Sequence, residues 1–375
     1  WARPVLHLAI LCQTATGALS VIATTSQPPA CSHTLFGSMK PAEPRCTDGA
    51  NAANGQRPSF GIMKLGSCIL LLFFTVSATI FTEASKLADG TYPYNTFVVP
   101  CAVEAVKLGF SSTVLVTQHL VGSKSTRPPV FSFQRFVAYA FPAFCYFVSN
   151  NCMFYIIKHL GAASFQIMNN LKVLSTGVFM YTFLDRKLSW MQWKALIILV
   201  VGCMVTQLGD VTDGEDSVKH QSSLLTGYFL VLVSAVASGA GGAFSEKLLK
   251  GKGFNQGNTG QETIHWQNVQ LYVFGLMFGL ISLHLDVKGT GQPGQSVFYG
   301  FNTYAYATVT TLAICGLLVS FILKYLDNVA KCFCAALSML CVALLDSAMK
   351  HEGVPMRVTL GIVLTGVALE QYNLS

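Results

Sequence analysis

Beyond residue 60, apolar residues come in long runs at regular intervals, and the breaks between runs hold turn formers or charge. The runs predict spans at 64–84, 94–120, 134–158, 160–184, 189–209, 224–250, 265–286, 301–325, 328–348 and 356–373. Each approaches the roughly 20 apolar residues that a bilayer-crossing helix requires. The breaks read ADGTYPYN, GSKSTRPP, LDRKLS, DVTDGEDSVKHQSS, GKGFNQGNTGQ, KGTGQPGQ and KHEGVP. The pattern predicts an all-α integral membrane protein of ten transmembrane helices. The acidic stretch 210–222 divides it into halves, 61–209 and 223–375, of five spans each. An odd span count gives the halves opposite orientations, hence two inverted five-helix repeats with a site at the midplane between them. No convincing residue-level repeat accompanies that symmetry.

Composition agrees with this reading. Hydrophobic residues make up 52% of the 375 and charged residues only 11%, against roughly 25% charged in soluble domains. Soluble enzymes, disordered regulators and disulfide-stapled secreted domains are poor fits. Net charge is +7, from 24 Lys and Arg against 17 Asp and Glu. With the N-terminus placed in the cytosol, sixteen of the basic residues fall on the cytosolic side and six opposite. Two more, Lys107 and Lys172, lie inside spans. The positive-inside rule therefore predicts both termini cytosolic.

Residues 1–60 carry Pro, Ser, Asn and Gly clusters and one short apolar stretch, VLHLAILC. They read as a disordered or untranslated leader, with a damaged signal sequence as the alternative and initiation upstream, at Met39 or at Met63. The twelve Cys are scattered, mostly within apolar runs, and Cys332/Cys334 has no second pair to complete a zinc site. Neither a metal nor a cofactor is predicted.

Polar residues inside the spans are the candidate chemistry. A Lys at a helix centre costs roughly 2.5–3.5 kcal/mol on insertion scales and needs a partner or a wet cavity. Lys172 shares helical spacing with Phe165, Asn169 and Thr176, and Gln166 and Asn170 flank that face. An aromatic ring can stack a base and an ammonium can neutralise phosphate; the alternative is a structural pairing with a buried carboxylate. Glu104 and Lys107, at i and i+3, can form an internal ion pair or a rearranging pair beside a substrate path.

Asn150 and Asn151 follow Tyr146 in the third span and fit helix–helix hydrogen bonding as well as ligand contact. The run Ser238-Gly239-Ala240-Gly241-Gly242 offers close packing or a sliding surface. Asn268 and Tyr272 lie one turn apart on the seventh span, where an amide could read a nucleobase edge. Lys331 stands in the first turn of the ninth span, which Asp327 or Asn328 would cap. That end suits a phosphate, or is simply a positive flank.

No HExxH, GxSxG or Walker A motif is present, so neither an enzyme nor an ATP-driven pump is predicted. Transport would run on a gradient or on exchange, with a channel as an alternative.

These residues resemble the nucleotide-sugar transporter family of the drug/metabolite transporter superfamily, in its CMP-sialic acid, UDP-galactose and UDP-N-acetylglucosamine branch. The resemblance covers roughly residues 64–373. It rests on CAVEAVKL, NNCMFY, GAASFQIMNNLKVLSTGVF, LDRKLSWMQWKAL, SGAGGAFSEKLLKG, QNVQLY and KYLDNVAKCF, in that order.

It implies a Golgi or endoplasmic reticulum antiporter that exchanges cytosolic nucleotide sugar for luminal nucleoside monophosphate. Lys172 and Lys331 would meet phosphate, and Asn268 and Tyr272 the pyrimidine. Phe165 stands where the family often has Tyr. Gln166 and Asn151 would line the pocket, Ser238 and Gly239 match the glycine-bearing sixth span, and Glu104 and Lys107 match the second-span charge pair. Two departures bear on substrate choice: Asn169-Asn170 replaces Tyr-Gln, and Cys332-Phe333-Cys334 replaces Gly-Phe-Ser. The expected partners are the nucleotide sugar, the monophosphate and the lipid bilayer, with no nucleic acid and a homodimer left open. The other readings are an exporter of another phosphorylated or small metabolite, and a transport-inactive scaffold of the same fold.

Overall fold

A computed structural model of the protein describes residues 57–87, 91–121, 131–160, 162–207, 221–251, 263–290, 297–349 and 354–374. The expected leader lies outside the described residues except at its end, where residues 57–60 already belong to the first helix. The acidic divider falls almost wholly outside them too.

The described residues form twelve helices and no strands. They are α1 (Arg57–Ala84), α2 (Val98–Leu120), α3 (Phe133–Ala138), α4 (Ala140–Leu160), α5 (Ala162–Asn169), α6 (Leu171–Leu184), α7 (Trp190–Gln207), α8 (Gln221–Leu249), α9 (Ile264–Thr290), α10 (Thr303–Tyr325), α11 (Asn328–Met349) and α12 (Met356–Asn373). Each of the ten expected spans coincides with helix, the third with α3 and α4 and the fourth with α5 and α6. Among the described residues, six helices (α1, α2, α7, α8, α10 and α11) are long and apolar enough to cross a membrane.

The divided fourth span corrects the sequence reading, which took 160–184 as one helix. Asn170 donates from Nδ2 to the Ile167 carbonyl at 3.2 Å and to Gln207 Oε1, on α7, at 3.1 Å. The backbone there tightens to three-residue spacing, Asn170 N to Ile167 O and Val173 N to Asn170 O. A side-chain amide that competes for backbone partners is a recognised way to interrupt a helix. Phe165 and Asn169 thus lie on α5 and Lys172 and Thr176 on α6, with Asn170 between them still in the right-handed helical conformation.

The most extensive helix pairs are α8 with α4, α12 with α7, α10 with α1, α8 with α6 and α9 with α2. After these come α11 with α1, α9 with α4 and α10 with α2. Every one of them joins a helix before residue 208 to a helix after residue 220. In lipid, apolar surface gives helices little reason to associate, so close packing through small residues takes over. Gly202 and Gly361 let α7 and α12 meet backbone to backbone: a Cβ on Gly361 would lie 3.0 Å from the Gly202 carbonyl and would overlap Thr206 Oγ1. Gly239 serves α8 and α6 likewise, since its Cβ would lie 2.8 Å from the Ser175 carbonyl carbon.

The largest buried cluster draws Cys68 and Leu71 from α1, Met180 from α6, Leu196 and Leu199 from α7, Phe333 from α11 and Leu369 from α12. Phe73, Phe110, Phe229, Leu280 and Val363 stand exposed on the outside, as a lipid-facing surface requires. Asp185, at φ 53°, closes α6 in the left-handed conformation and turns Arg186 back toward the α10–α11 junction.

Candidate functional site

A cavity of about 250 Å³ opens among α2, α4, α8, α9, α10 and α11. Of the residues expected to bind ligand, Glu104, Lys107, Asn151, Tyr272 and Lys331 line it. Tyr146 and Asn150 join them.

One wall is a built polar assembly. Lys107 Nζ donates to Glu104 Oε1 at 2.5 Å and lies 4.3 Å from the centroid of the Tyr272 ring. The Tyr272 hydroxyl pairs with Ser320 Oγ at 3.0 Å. Two glycines make room for the ion pair. A Cβ on Gly275 would stand 2.8 Å from Glu104 Oε2, and one on Gly316 would stand 2.6 Å from Lys107 Cδ. Carboxylate, cation and ring together satisfy a charge that hydrocarbon would not hold alone. Across the cavity, Asn151 donates to the Phe147 carbonyl at 2.8 Å and accepts from Ser282 Oγ at 2.9 Å.

Lys331 differs from these groups. It lines the cavity, and among the described residues it forms no ion pair and no side-chain hydrogen bond. Lys172 is likewise without an ion pair there, and Lys331 is one of its electrostatic neighbours.

The α11 helix end beside Lys331 is already occupied. Glu246 Oε2 accepts from Asn328 N at 2.8 Å, and Asp327 Oδ1 caps Ala330 N at 2.8 Å. An anion would therefore meet the Lys331 ammonium rather than the first free amides. Just beyond the cavity residues Leu249 and Leu323, the same carboxylates anchor a charged network. Lys250 donates to Glu246 at 2.6 Å and to the Leu326 carbonyl, and Arg186 donates to Asp327 at 2.6 Å. Arg186 lies in the turn between α6 and α7. Burial works against its charge, but Asp327 more than offsets this and holds the guanidinium above its ordinary pKa.

The remaining expected residues fall elsewhere. Phe165 and Asn169 line a small separate cleft with Ile156, Met168, Val231, Ser234 and Ala235. Lys172 does not line the cavity, and Lys331 is among its electrostatic neighbours. Asn268 is 1% exposed, its Oδ1 has no partner among the described residues, and it does not line the cavity. Ser238 is outside the lining, and Gly239 is taken up by packing against α6. The side chain of Gln166 lies outside the described residues.

Sequence reasoning missed Ser245, Ser282, Ser320, Gly275 and Gly316. The glycines interrupt otherwise apolar spans, which was the available signal. The serines carried none.

The sequence pattern of the family described as Nucleotide-sugar transporter matches residues 60–373. CMP-sialic acid transporter 1 of Oryza sativa subsp. japonica is 32% identical over 310 residues, covering 81% of this chain and 92% of its own length. UDP-galactose translocator 1 of Caenorhabditis elegans is 28% identical over 332 residues, 85% of this chain and 90% of its own. A solved crystal structure at 14% identity superposes with a TM-score of 0.57 over 82% of this chain and 98% of that one, a likeness of fold alone.

Proposed function

The chain belongs to the nucleotide-sugar transporter family, and on that premise we propose that it carries a pyrimidine nucleotide sugar across the Golgi membrane. Nucleoside monophosphate returns in exchange. The candidate cargoes are UDP-galactose, UDP-N-acetylglucosamine and CMP-sialic acid. The observation that carries this reading is the Lys331 ammonium, in the cavity without an ion pair among the described residues and with Lys172 among its electrostatic surroundings. Phosphate would settle between these two cations, with the Tyr272 ring offering apolar surface beside it. Glu104, Lys107 and Asn151 would line the remainder, while Asn268, one turn before Tyr272, would act from behind the cavity wall. Phe165, Gln166, Asn169, Ser238 and Gly239 belong to the helices that must move around it.

Exchange follows from electrostatics. Two cations without an ion pair among the described residues, placed in a membrane interior, make an empty carrier costly to reorient, so each crossing favours a loaded site. Movement would be a rocking of the halves 61–209 and 223–375 as inverted repeats, with both termini cytosolic. The helix pairing supports this symmetry. Number the ten spans in order and replace each by the span five places along: the pair α10–α1 becomes α4–α8, α11–α1 becomes α6–α8, and α10–α2 becomes α4–α9. The pairs α9–α2 and α12–α7 map onto themselves.

The test uses protein reconstituted in liposomes preloaded with UMP or CMP, with labelled UDP-galactose, UDP-N-acetylglucosamine and CMP-sialic acid outside. The expected result is uptake of one sugar that depends on its matching internal monophosphate. Folded protein that takes up none of the three sinks the proposal.

A further inference from the structure

The cavity's buried polar groups are Lys107, Tyr272, Ser320 and Ser245. The first three bond one another or Glu104. Ser245 does not. It is 1% exposed, lines the cavity, and its hydroxyl has no partner among the described residues. Serines and threonines in these helices commonly return their hydroxyls to a carbonyl three or four residues back, as Ser67, Thr75, Thr176, Thr308 and Ser347 do. Ser245 makes no such bond, so its hydroxyl is both desolvated and available, at a cost to the ligand-free protein.

Its place in the fold says what it awaits. Ser245 immediately precedes Glu246, whose carboxylate holds the Asn328 amide at 2.8 Å. Three residues earlier, Gly242 lets Asn328 come so close that a Cβ would lie 2.5 Å from its Nδ2. Lys331 follows Asn328 by one helical turn. The end of α8 and the start of α11 therefore meet at one junction, and Ser245 and Lys331 both project from that junction into the cavity.

We infer that Ser245 is a ligand contact whose hydroxyl donates to the phosphate oxygen that the Lys331 ammonium neutralises. The inference rests on the nucleotide reading above and adds a specific donor to it. A hydroxyl bond to an anionic oxygen is shorter and stronger than a neutral one. The orphaned group is thus satisfied only when phosphate is bound.

The experiment compares wild type with S245A in detergent, measuring affinity and thermal midpoint for UMP, CMP, uridine, cytidine and inorganic phosphate. Expected for S245A is about tenfold weaker binding of whichever monophosphate the wild type prefers, with nucleoside binding unchanged. The ligand-free midpoint should stay level or rise, since a buried unpartnered hydroxyl has gone; a merely structural serine would lower it. Monophosphate binding equal to wild type overturns the inference. So does an equal loss with nucleoside, which would move the contact to base or ribose. If wild type binds no nucleotide but binds phosphate in a Ser245-dependent way, the nucleotide reading fails and the anion contact stands. If it binds neither, both fall.

Discussion

The Lys107 ammonium lies 4.3 Å from the centre of the Tyr272 ring, so the face of that aromatic is partly taken by a cation of the protein itself. Because Glu104 holds the same ammonium at 2.5 Å, the three groups stand or fall together. E104Q should lower the thermal midpoint, because it strands a cation in the membrane interior at a cost on the order of 3 kcal/mol. E104Q/K107M should recover most of that loss while transport stays impaired. Thermal unfolding of the single and double variants in detergent checks both outcomes; a double variant no more stable than E104Q would show that the pair is not the source of stability.

Lys331 is the opposite case, a cation whose counter-charge is expected from the ligand. K331A should weaken binding of nucleoside monophosphate by about 10- to 100-fold, the range for a hydrogen bond to a charged group, without lowering ligand-free stability. K172A should abolish exchange in liposomes while the protein remains folded. Normal uptake by K172A would remove that residue from the site.

Packing through glycine makes a prediction independent of any ligand. G239A forces a methyl against the Ser175 backbone, which cannot give way as a side-chain tip can, and should cost about 1–3 kcal/mol by overpacking. G66A, where a Cβ meets nothing within 4 Å, should be neutral or stabilise by a few tenths of a kcal/mol through helix propensity. Fluorescence-detected size exclusion after a heating series ranks the two variants against wild type.

Asp327 has two jobs, capping α11 through Oδ1 and holding Arg186 through Oδ2. D327N keeps an oxygen for the cap and loses the ion pair, about 1 kcal/mol for a partly solvated guanidinium. D327A loses the cap as well, for about 1 kcal/mol more. The order wild type, D327N, D327A in thermal midpoint is the expected result, and R186A should match D327N. Equal losses in D327N and D327A would leave the cap without energetic weight.

The helical segments were legible in the sequence because hydrocarbon imposes one rule on every residue of a span. What depends on distant partners was not legible. At the break between α5 and α6 the Asn170 side chain bonds Gln207, on the next helix, a partner that spacing along the chain does not reveal. Glu104 and Lys107 could be paired from their spacing alone; that Tyr272 completes the assembly required the fold. Gly275 and Gly316 read as ordinary small residues until the side chains they accommodate came into view. Ser245 gave no signal, since only the three-dimensional structure shows a hydroxyl without a partner.

The crossing of all the extensive helix pairs between the two halves bears on how the protein is made. Once the ribosome has delivered residues up to 209 to the bilayer, helices α1–α7 have been made and the partners of their most extensive pairs have not. They must wait, with polar residues such as Asn151 and Lys172 facing lipid or membrane-resident chaperones, until translation delivers the rest. A chain truncated at the acidic divider would be an orphan for membrane quality control to remove, not half of a working carrier.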